Sequence, residues 1–279
     1  MTDTTAPAWP GPLAAPAWLH ARLGAPGLVV LDLRPKERFL AAHVPGAVHS
    51  DYAGWRATAE GAPGMLPEPA ALGEAAGRLG IGNETLVVLV PEGKTASDFG
   101  NAARVYWTLK VLGHDRVAIL DGGFAGWEAG PARPVQAGEA PAPAPARFEV
   151  RLRPELRADA AEVAAAIEHG DTLLLDARGD AFFRGETKSP AARVPGTIPG
   201  AAQLDAEAVF ADGTMRVPEG SLPERPGGII TFCNTGHSAA VTWFALSEVS
   251  GHKDVRLYDG SMSHWTHDPA RPVVTGRKD

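Results

Sequence analysis

Cysteine is nearly absent from this chain: Cys233 is the only one among 279 residues. One thiol cannot close an intrachain disulfide or build a multi-cysteine zinc or iron–sulfur site, so its role is solitary. No apolar run approaches the ~20 residues of a membrane-spanning helix, and no membrane partner is expected. Clusters of basic residues are missing too. With 26 Lys and Arg against 33 Asp and Glu, the formal charge is −7, and nothing recruits nucleic acid. The opening MTDTTAPAWPGPLAAP is acidic and broken by prolines, where a secretory signal needs a basic start and an unbroken apolar stretch. A cytoplasmic protein is expected.

What the chain has in quantity is punctuation. Its 32 Gly and 25 Pro suit short strands and helices joined by tight turns rather than a bundle of long helices. The length suits two domains of ordinary size, and the sequence contains one design twice. LVVLDLR (28–34) recurs as TLLLDAR (172–178), and HVPGA (43–47) as TIPGA (197–201). LVVLV (86–90) corresponds to GIITF (228–232), and LGHDRVAILDGGFAGW (112–127) to SGHKDVRLYDGSMSHW (250–265). Continuous apolar strands alternating with helices predict an α/β fold: two domains, each a mainly parallel sheet flanked by helices on both faces. The stretch PARPVQAGEAPAPAPAR reads as a semi-stiff Pro/Ala-rich linker over 131–147, which places the domains at 1–130 and 148–279. Trp9 and Trp18 are the residues expected to pin the N-terminal tail.

The halves differ where chemistry is expected. In the second, GIITF runs into CNTGHSAAVTWFALSEV, so Cys233 stands at the carboxyl end of a buried strand and just before a helix. Ligands of open α/β sheets bind at that edge. The loop Asn234, Thr235, Gly236, His237 and Ser238 has backbone N–H groups to curl round the sulfur, with Gly236 supplying a conformation that side chains resist. The following helix aims its positive end at the same point, and cysteines at helix N-termini ionise well below the ~8.5 of a free thiol. Cys233 reads as a nucleophile. Thr235 and Ser238 offer hydroxyl hydrogen bonds, and a protonated His237 would support an incoming anion. The first half continues PEGKTASDFGNAAR instead, which puts Pro91 at the cysteine's place and lengthens that loop by four residues.

These motifs together carry a resemblance. From about Trp18 to Trp265, LDLR with HVPGA, NAARVYW with LDGGFAGW, and LLDAR, FFRGE, GTIPGA, CNTGHSA and LYDGS make the chain similar to the tandem-domain sulfurtransferases of the rhodanese family. The resemblance implies two rhodanese-like domains with the reactive cysteine only in the second. It implies a ping-pong cycle in which the thiolate takes a sulfane sulfur from a small anionic donor and passes it, through a persulfide, to cyanide, a thiol or a protein acceptor. No metal or organic cofactor is implied.

The resemblance implies thiosulfate or 3-mercaptopyruvate as the donor. Thiosulfate-type loops carry basic residues after the cysteine, whereas Asn234 and Thr235 follow here. The histidine that precedes Met-Leu-Pro in vertebrate mercaptopyruvate enzymes is replaced by Gly64 in Gly64-Met65-Leu66-Pro67. That absence favours thiosulfate. The family's donor-binding arginine falls on Phe182, leaving Arg184, Lys188 and Arg193 as the candidate substrate cations.

Asp176 with Arg178, like Asp32 with Arg34, sits at a strand end. Because both halves have the pair, a structural role is expected. His264, His267 and Asp268 form too sparse a set for a metal site. A cysteine phosphatase would need the arginine of C-x5-R, beyond five intervening residues, where Ala239 stands. A persulfide carrier or redox-sensing module serving a protein partner is the remaining alternative, since it needs the same activated thiol.

Overall fold

The computed structural model describes residues 7–130, 132–211, 213–222 and 227–275. The first repeat runs β1 (Leu13–Ala14), α1 (Pro16–His20), β2 (Leu28–Asp32), α2 (Lys36–Ala41), β3 (Val48–His49), β4 (Ala57–Ala59), β5 (Ala62–Met65), α3 (Pro69–Arg78), β6 (Leu86–Val90), α4 (Ala96–Val111), β7 (Val117–Leu120) and α5 (Gly123–Glu128). The second runs α6 (Ala160–His169), β8 (Leu173–Asp176), α7 (Asp180–Phe183), β9 (Ala202–Gln203), α8 (Ala206–Val209), β10 (Phe210–Ala211), β11 (Thr214–Met215), β12 (Ile229–Phe232), α9 (Ser238–Phe244), β13 (Val255–Leu257) and α10 (Ser261–Trp265).

Each repeat builds a parallel sheet. The order is β1-β7-β6-β2-β3 in the first and β13-β12-β8-β9 in the second. Equivalent strands pair in equivalent register: Leu31 lies opposite Leu89, and Leu175 opposite Thr231. Strands β6, β7, β8 and β12 are buried along their whole length, as parallel strands covered on both faces must be, and this explains their unbroken apolar runs. Val30, Val88 and Leu120 point into one core with Leu19, Phe39 and Trp127. Leu174, Ile230 and Phe232 do the same with Val163, Met262 and Trp265. Where the first sheet carries β1 at its edge, the second has only a bridge between Arg157 and Leu257.

The chain gathers into two compact units that depart from a linear cut. One holds the residues up to Trp55 with Glu68–Leu152; the other holds Arg56–Pro67 with Arg153 onward. The β4–β5 hairpin therefore belongs to the same unit as Cys233, and polar bonds explain why. The Leu66 N–H donates to Asp259 Oδ2 at 2.6 Å, Ser263 Oγ donates to the Pro63 carbonyl at 3.2 Å, and Glu60 Oε2 lies 2.9 Å from His264 Nε2. The hairpin turns on Glu60 and Gly61, with φ of +51° and +75°, the pair of positive values a tight two-residue turn requires.

The Pro/Ala-rich segment is laid along the first unit. His43 and Gln136 exchange backbone hydrogen bonds of 2.8 and 2.9 Å, and the Ala146 N–H donates to the Gly77 carbonyl at 2.9 Å. The tail is tied by Trp9, whose Nε1 donates to the Val117 carbonyl at 2.8 Å. No helix among the described residues is long and apolar enough to cross a membrane.

Candidate active site

Cys233 follows Phe232, the last residue of β12, at the carboxyl edge of its sheet. It is 2 % exposed. The chain then turns through Asn234, Thr235, Gly236 and His237 before α9 begins at Ser238. Gly236 adopts φ +72°. His237 holds the N-cap position of α9, and no side chain caps that helix end.

Ser261, which the sequence reading passed over, holds this loop from beneath. Its Oγ accepts from the Cys233 N–H at 3.0 Å and the Gly236 N–H at 3.1 Å, and lies 4.0 Å from Cys233 Sγ. The Gly236 amide is thus directed at a hydroxyl. The start of α10 binds the loop's outer groups, with the Met262 N–H on the Cys233 carbonyl (3.0 Å) and the Ser263 N–H on the Asn234 carbonyl (2.9 Å). Two guanidiniums complete the support. Arg178 Nη1 donates to Asn234 Oδ1 at 3.3 Å, and Arg56 Nη2 to the Thr235 carbonyl at 3.2 Å.

The first repeat shows which features are scaffold. There the Phe124 N–H binds the Pro91 carbonyl (2.8 Å) and the Ala125 N–H binds the Glu92 carbonyl (3.0 Å), so Pro91 occupies the cysteine's place. The loop is not lengthened by four residues as expected. Helix α4 starts at Ala96, leaving a connection of the same size as that before Ser238. The capping box of Thr95 and Asp98 winds the additional residues into helix. Arg34 grips Asp32 (Nη2 to Oδ2, 2.7 Å) and the Ala42 carbonyl (2.6 Å), just as Arg178 grips Asp176 (2.6 Å) and the Gly196 carbonyl (2.8 Å). The pair therefore fixes strand ends in both units. In the first, Arg34 also faces Glu92 Oε2 at 3.9 Å, where Arg178 faces the neutral Asn234 amide. The residue after the cysteine thus gives Arg178 a neutral amide where the first repeat has a carboxylate, which Lys94 Nζ also meets at 3.1 Å.

The other candidates lie on the segment after β8. Arg184 is exposed and sits 3.4 Å from Asp180 Oδ2 and 3.9 Å from Glu186 Oε1. Lys188 Nζ donates to the Ala192 carbonyl at 2.9 Å, and the backbone N–H of the exposed Arg193 donates to Thr266 Oγ1 at 2.9 Å. Phe182 lies under the Arg178 guanidinium, 5.9 Å from its ring centre. His264 is engaged on both nitrogens, with Tyr258 Oη at 2.8 Å and Glu60 at 2.9 Å. Burial pushes the Tyr258 phenol above its ordinary pKa. Among the described residues no three His, Cys, Asp or Glu gather as a metal site requires.

Two stretches, 15–130 and 159–268, match the family model described as a rhodanese-like domain. The chain is 35 % identical to a probable 3-mercaptopyruvate sulfurtransferase of Pseudomonas aeruginosa, over 92 % of this chain and 96 % of that one. It is 32 % identical to the thiosulfate sulfurtransferase of Azotobacter vinelandii, over 92 % and 95 % of the two chains. The crystal structure of SseA from Escherichia coli, described as having the rhodanese fold, aligns with a TM-score of 0.78 and 25 % identity, covering 90 % of this chain and 98 % of that one.

Proposed function

Because this chain belongs to the rhodanese family, whose curated relatives named above are sulfurtransferases, we propose that it moves a sulfane sulfur from thiosulfate to cyanide or a thiol through a persulfide on Cys233. The placement of Cys233 carries this reading: a lone, buried thiol at the sheet's carboxyl edge, opening a turn whose Cys233 and Gly236 amides are tied together by Ser261 Oγ just before α9. The Cys233 thiolate attacks the outer sulfur of thiosulfate. A new S–S bond forms as the donor's S–S bond breaks, and sulfite leaves with the bonding pair. The acceptor then attacks the outer sulfur, departs as thiocyanate or a persulfide, and restores the thiolate. Arg184, Lys188 and Arg193, on the segment after α7, are candidate contacts for the donor's charge.

A second donor, 3-mercaptopyruvate, is favoured by one observation: the Pseudomonas aeruginosa relative at 35 % identity is named for it. Its C–S bond would break, and pyruvate would leave after taking a proton at carbon.

Intact-protein mass spectrometry tests the proposal. Thiosulfate adds about 32 Da, the mass of one sulfur, to the wild type and nothing to Cys233→Ser, and cyanide removes the adduct. No adduct from either donor defeats the sulfur-transfer reading. An adduct that cyanide and small thiols never discharge turns it into the carrier reading. The ratio of kcat/KM for the two donors chooses between them.

A further inference from the structure

The first carbonyls of the cysteine's loop are held from outside. That of Cys233 accepts from the Met262 N–H at 3.0 Å, and that of Asn234 from the Ser263 N–H at 2.9 Å. The first repeat makes the same two bonds, from Phe124 to Pro91 and from Ala125 to Glu92, so they belong to the scaffold. The next carbonyl, that of Thr235, accepts from a side chain 179 positions earlier: Arg56 Nη2, at 3.2 Å. The β4–β5 hairpin comes this close because Gly64 has no side chain. A methyl group built on the Gly64 Cα would stand 2.6 Å from Arg56 Nη2 and 2.8 Å from Thr235 Cβ, and would collide with the Thr235 carbonyl itself.

The peptide between Thr235 and Gly236 is thereby held at both ends, its carbonyl by Arg56 and its N–H by Ser261 Oγ at 3.1 Å. It needs such holding more than its neighbours do. Gly236 has φ +72°, and glycine tolerates φ of either sign, so this peptide can turn over at little steric cost. Turned over, it would put a carbonyl oxygen where the N–H now lies, beside the Ser261 hydroxyl that stands 4.0 Å from Cys233 Sγ. The negative end of a dipole would then face a loop that has to bear charge on sulfur. The hairpin that brings Arg56 is itself fastened, by the Leu66 N–H on Asp259, Ser263 on the Pro63 carbonyl and His264 on Glu60. Segment 259–264 thus grips the hairpin and the loop together.

We infer that Arg56 is a positioning residue for sulfur transfer: its bond to the Thr235 carbonyl keeps the 235–236 peptide turned with its N–H on Ser261, the orientation in which the loop supports the reacting sulfur. This role rests on the sulfur-transfer reading and does not depend on the charge of the donor.

The test is a double-mutant cycle in the full chain. Arg56→Met removes the outer bond and should lower kcat with thiosulfate about tenfold while KM stays within about threefold. Ser261→Ala frees the other end of the same peptide. The double variant should fall no more than about threefold below the slower single variant, since one peptide can be released only once. Two alkylating agents probe Cys233 apart from turnover at one pH, iodoacetate being anionic and iodoacetamide neutral, and Arg56→Met should hold the ratio of their rates within about twofold of the wild type. Arg56→Ala is the second replacement should the methionine variant fail to fold, as thermal melts will show. Full kcat in the Arg56 variants, or single losses that multiply in the double variant, overturn the inference. So does a fall of about fivefold or more in the iodoacetate rate relative to iodoacetamide, which marks a contact with the donor's charge instead. A wild type that takes no sulfur from either donor defeats the underlying reading, and the mass measurement shows which has failed.

Discussion

Ser261 Oγ lies 4.0 Å from Cys233 Sγ while accepting the Cys233 backbone N–H at 3.0 Å. The geometry comes at the expense of backbone strain, since Ser261 has φ +50°, a region non-glycine residues seldom enter. Its counterpart in the first repeat is Gly123, at φ +58°. A hydroxyl is thus held in a glycine's conformation only in the unit that has the cysteine. It ties together the first and fourth residues of the loop.

Removing that hydroxyl separates support from strain. Ser261→Ala leaves two N–H groups without their acceptor and is expected to destabilise its unit by about 1–3 kcal/mol. Ser261→Gly loses the same bonds but relieves a strain of order 1–3 kcal/mol, so it should melt above the alanine variant. Both should lower kcat about tenfold or more, because the loop amides lose their fixed direction. Thermal melts with steady-state rates check this. A glycine variant with full kcat would restrict Ser261 to the scaffold.

The charge difference between the two loops gives a second prediction. Glu92 lies 3.9 Å from Arg34, whereas the equivalent Asn234 gives Arg178 a neutral oxygen at 3.3 Å. Asn234→Glu would install the first repeat's charge beside the sulfur. We expect the KM for thiosulfate to rise at least about tenfold, and reaction with iodoacetate to slow more than reaction with iodoacetamide. Asn234→Gln, which adds length but no charge, should retain the reagent ratio. Equal behaviour of the two variants would show that size at position 234 matters rather than charge.

Arg184 is a candidate donor contact of a different kind, exposed and bordered by carboxylates. Surface pairs of this sort contribute roughly 0–1 kcal/mol, so the guanidinium pays little to leave Asp180 and meet an anion. Arg184→Ala should raise the donor KM more than it lowers kcat, with the melting temperature unmoved. Unchanged kinetics would transfer the contact to Lys188 or Arg193.

The sequence revealed the sheets because parallel strands buried on both faces must be continuously apolar, and the two runs LVVLV and GIITF announce themselves. Cys233 was legible for a related reason, as a polar break at the end of such a run. The Asp-Arg pairs were legible as structure because they repeat. The hairpin was not, since Glu60, Pro63 and Leu66 are tied to their unit by polar bonds to residues some 200 positions away, and no local periodicity encodes those. Arg56 was hidden with it. Ser261 did leave a signal, because aligning DGG with DGS exposes a serine where the other repeat needs glycine. Helix α4 starts earlier than its apolar pattern suggests, because the Thr95 and Asp98 side chains cap it within the expected loop.

Outside the site, His114 offers a pH-dependent prediction for the first unit. Burial holds its pKa below the ordinary 6.5, since a charged imidazole there would lose its hydration. Its Nε2 meets the Arg116 carbonyl at 3.2 Å, and the Phe148 ring lies 5.7 Å away. The neutral form therefore belongs to the folded state, while the unfolded chain binds a proton near pH 6.5. Stability from this group is complete above that pH and is lost as the pH falls from there towards the folded-state value, by at most about 1.4 kcal/mol per pH unit. Hydrogen exchange of peptides from β6 and β7, followed in the full chain between pH 8 and pH 5 and corrected for intrinsic rates, should show protection declining through this window. In His114→Gln, which cannot take up the proton, that portion of the decline should disappear. A decline of the same size in both proteins would assign the acid sensitivity to other groups of the unit.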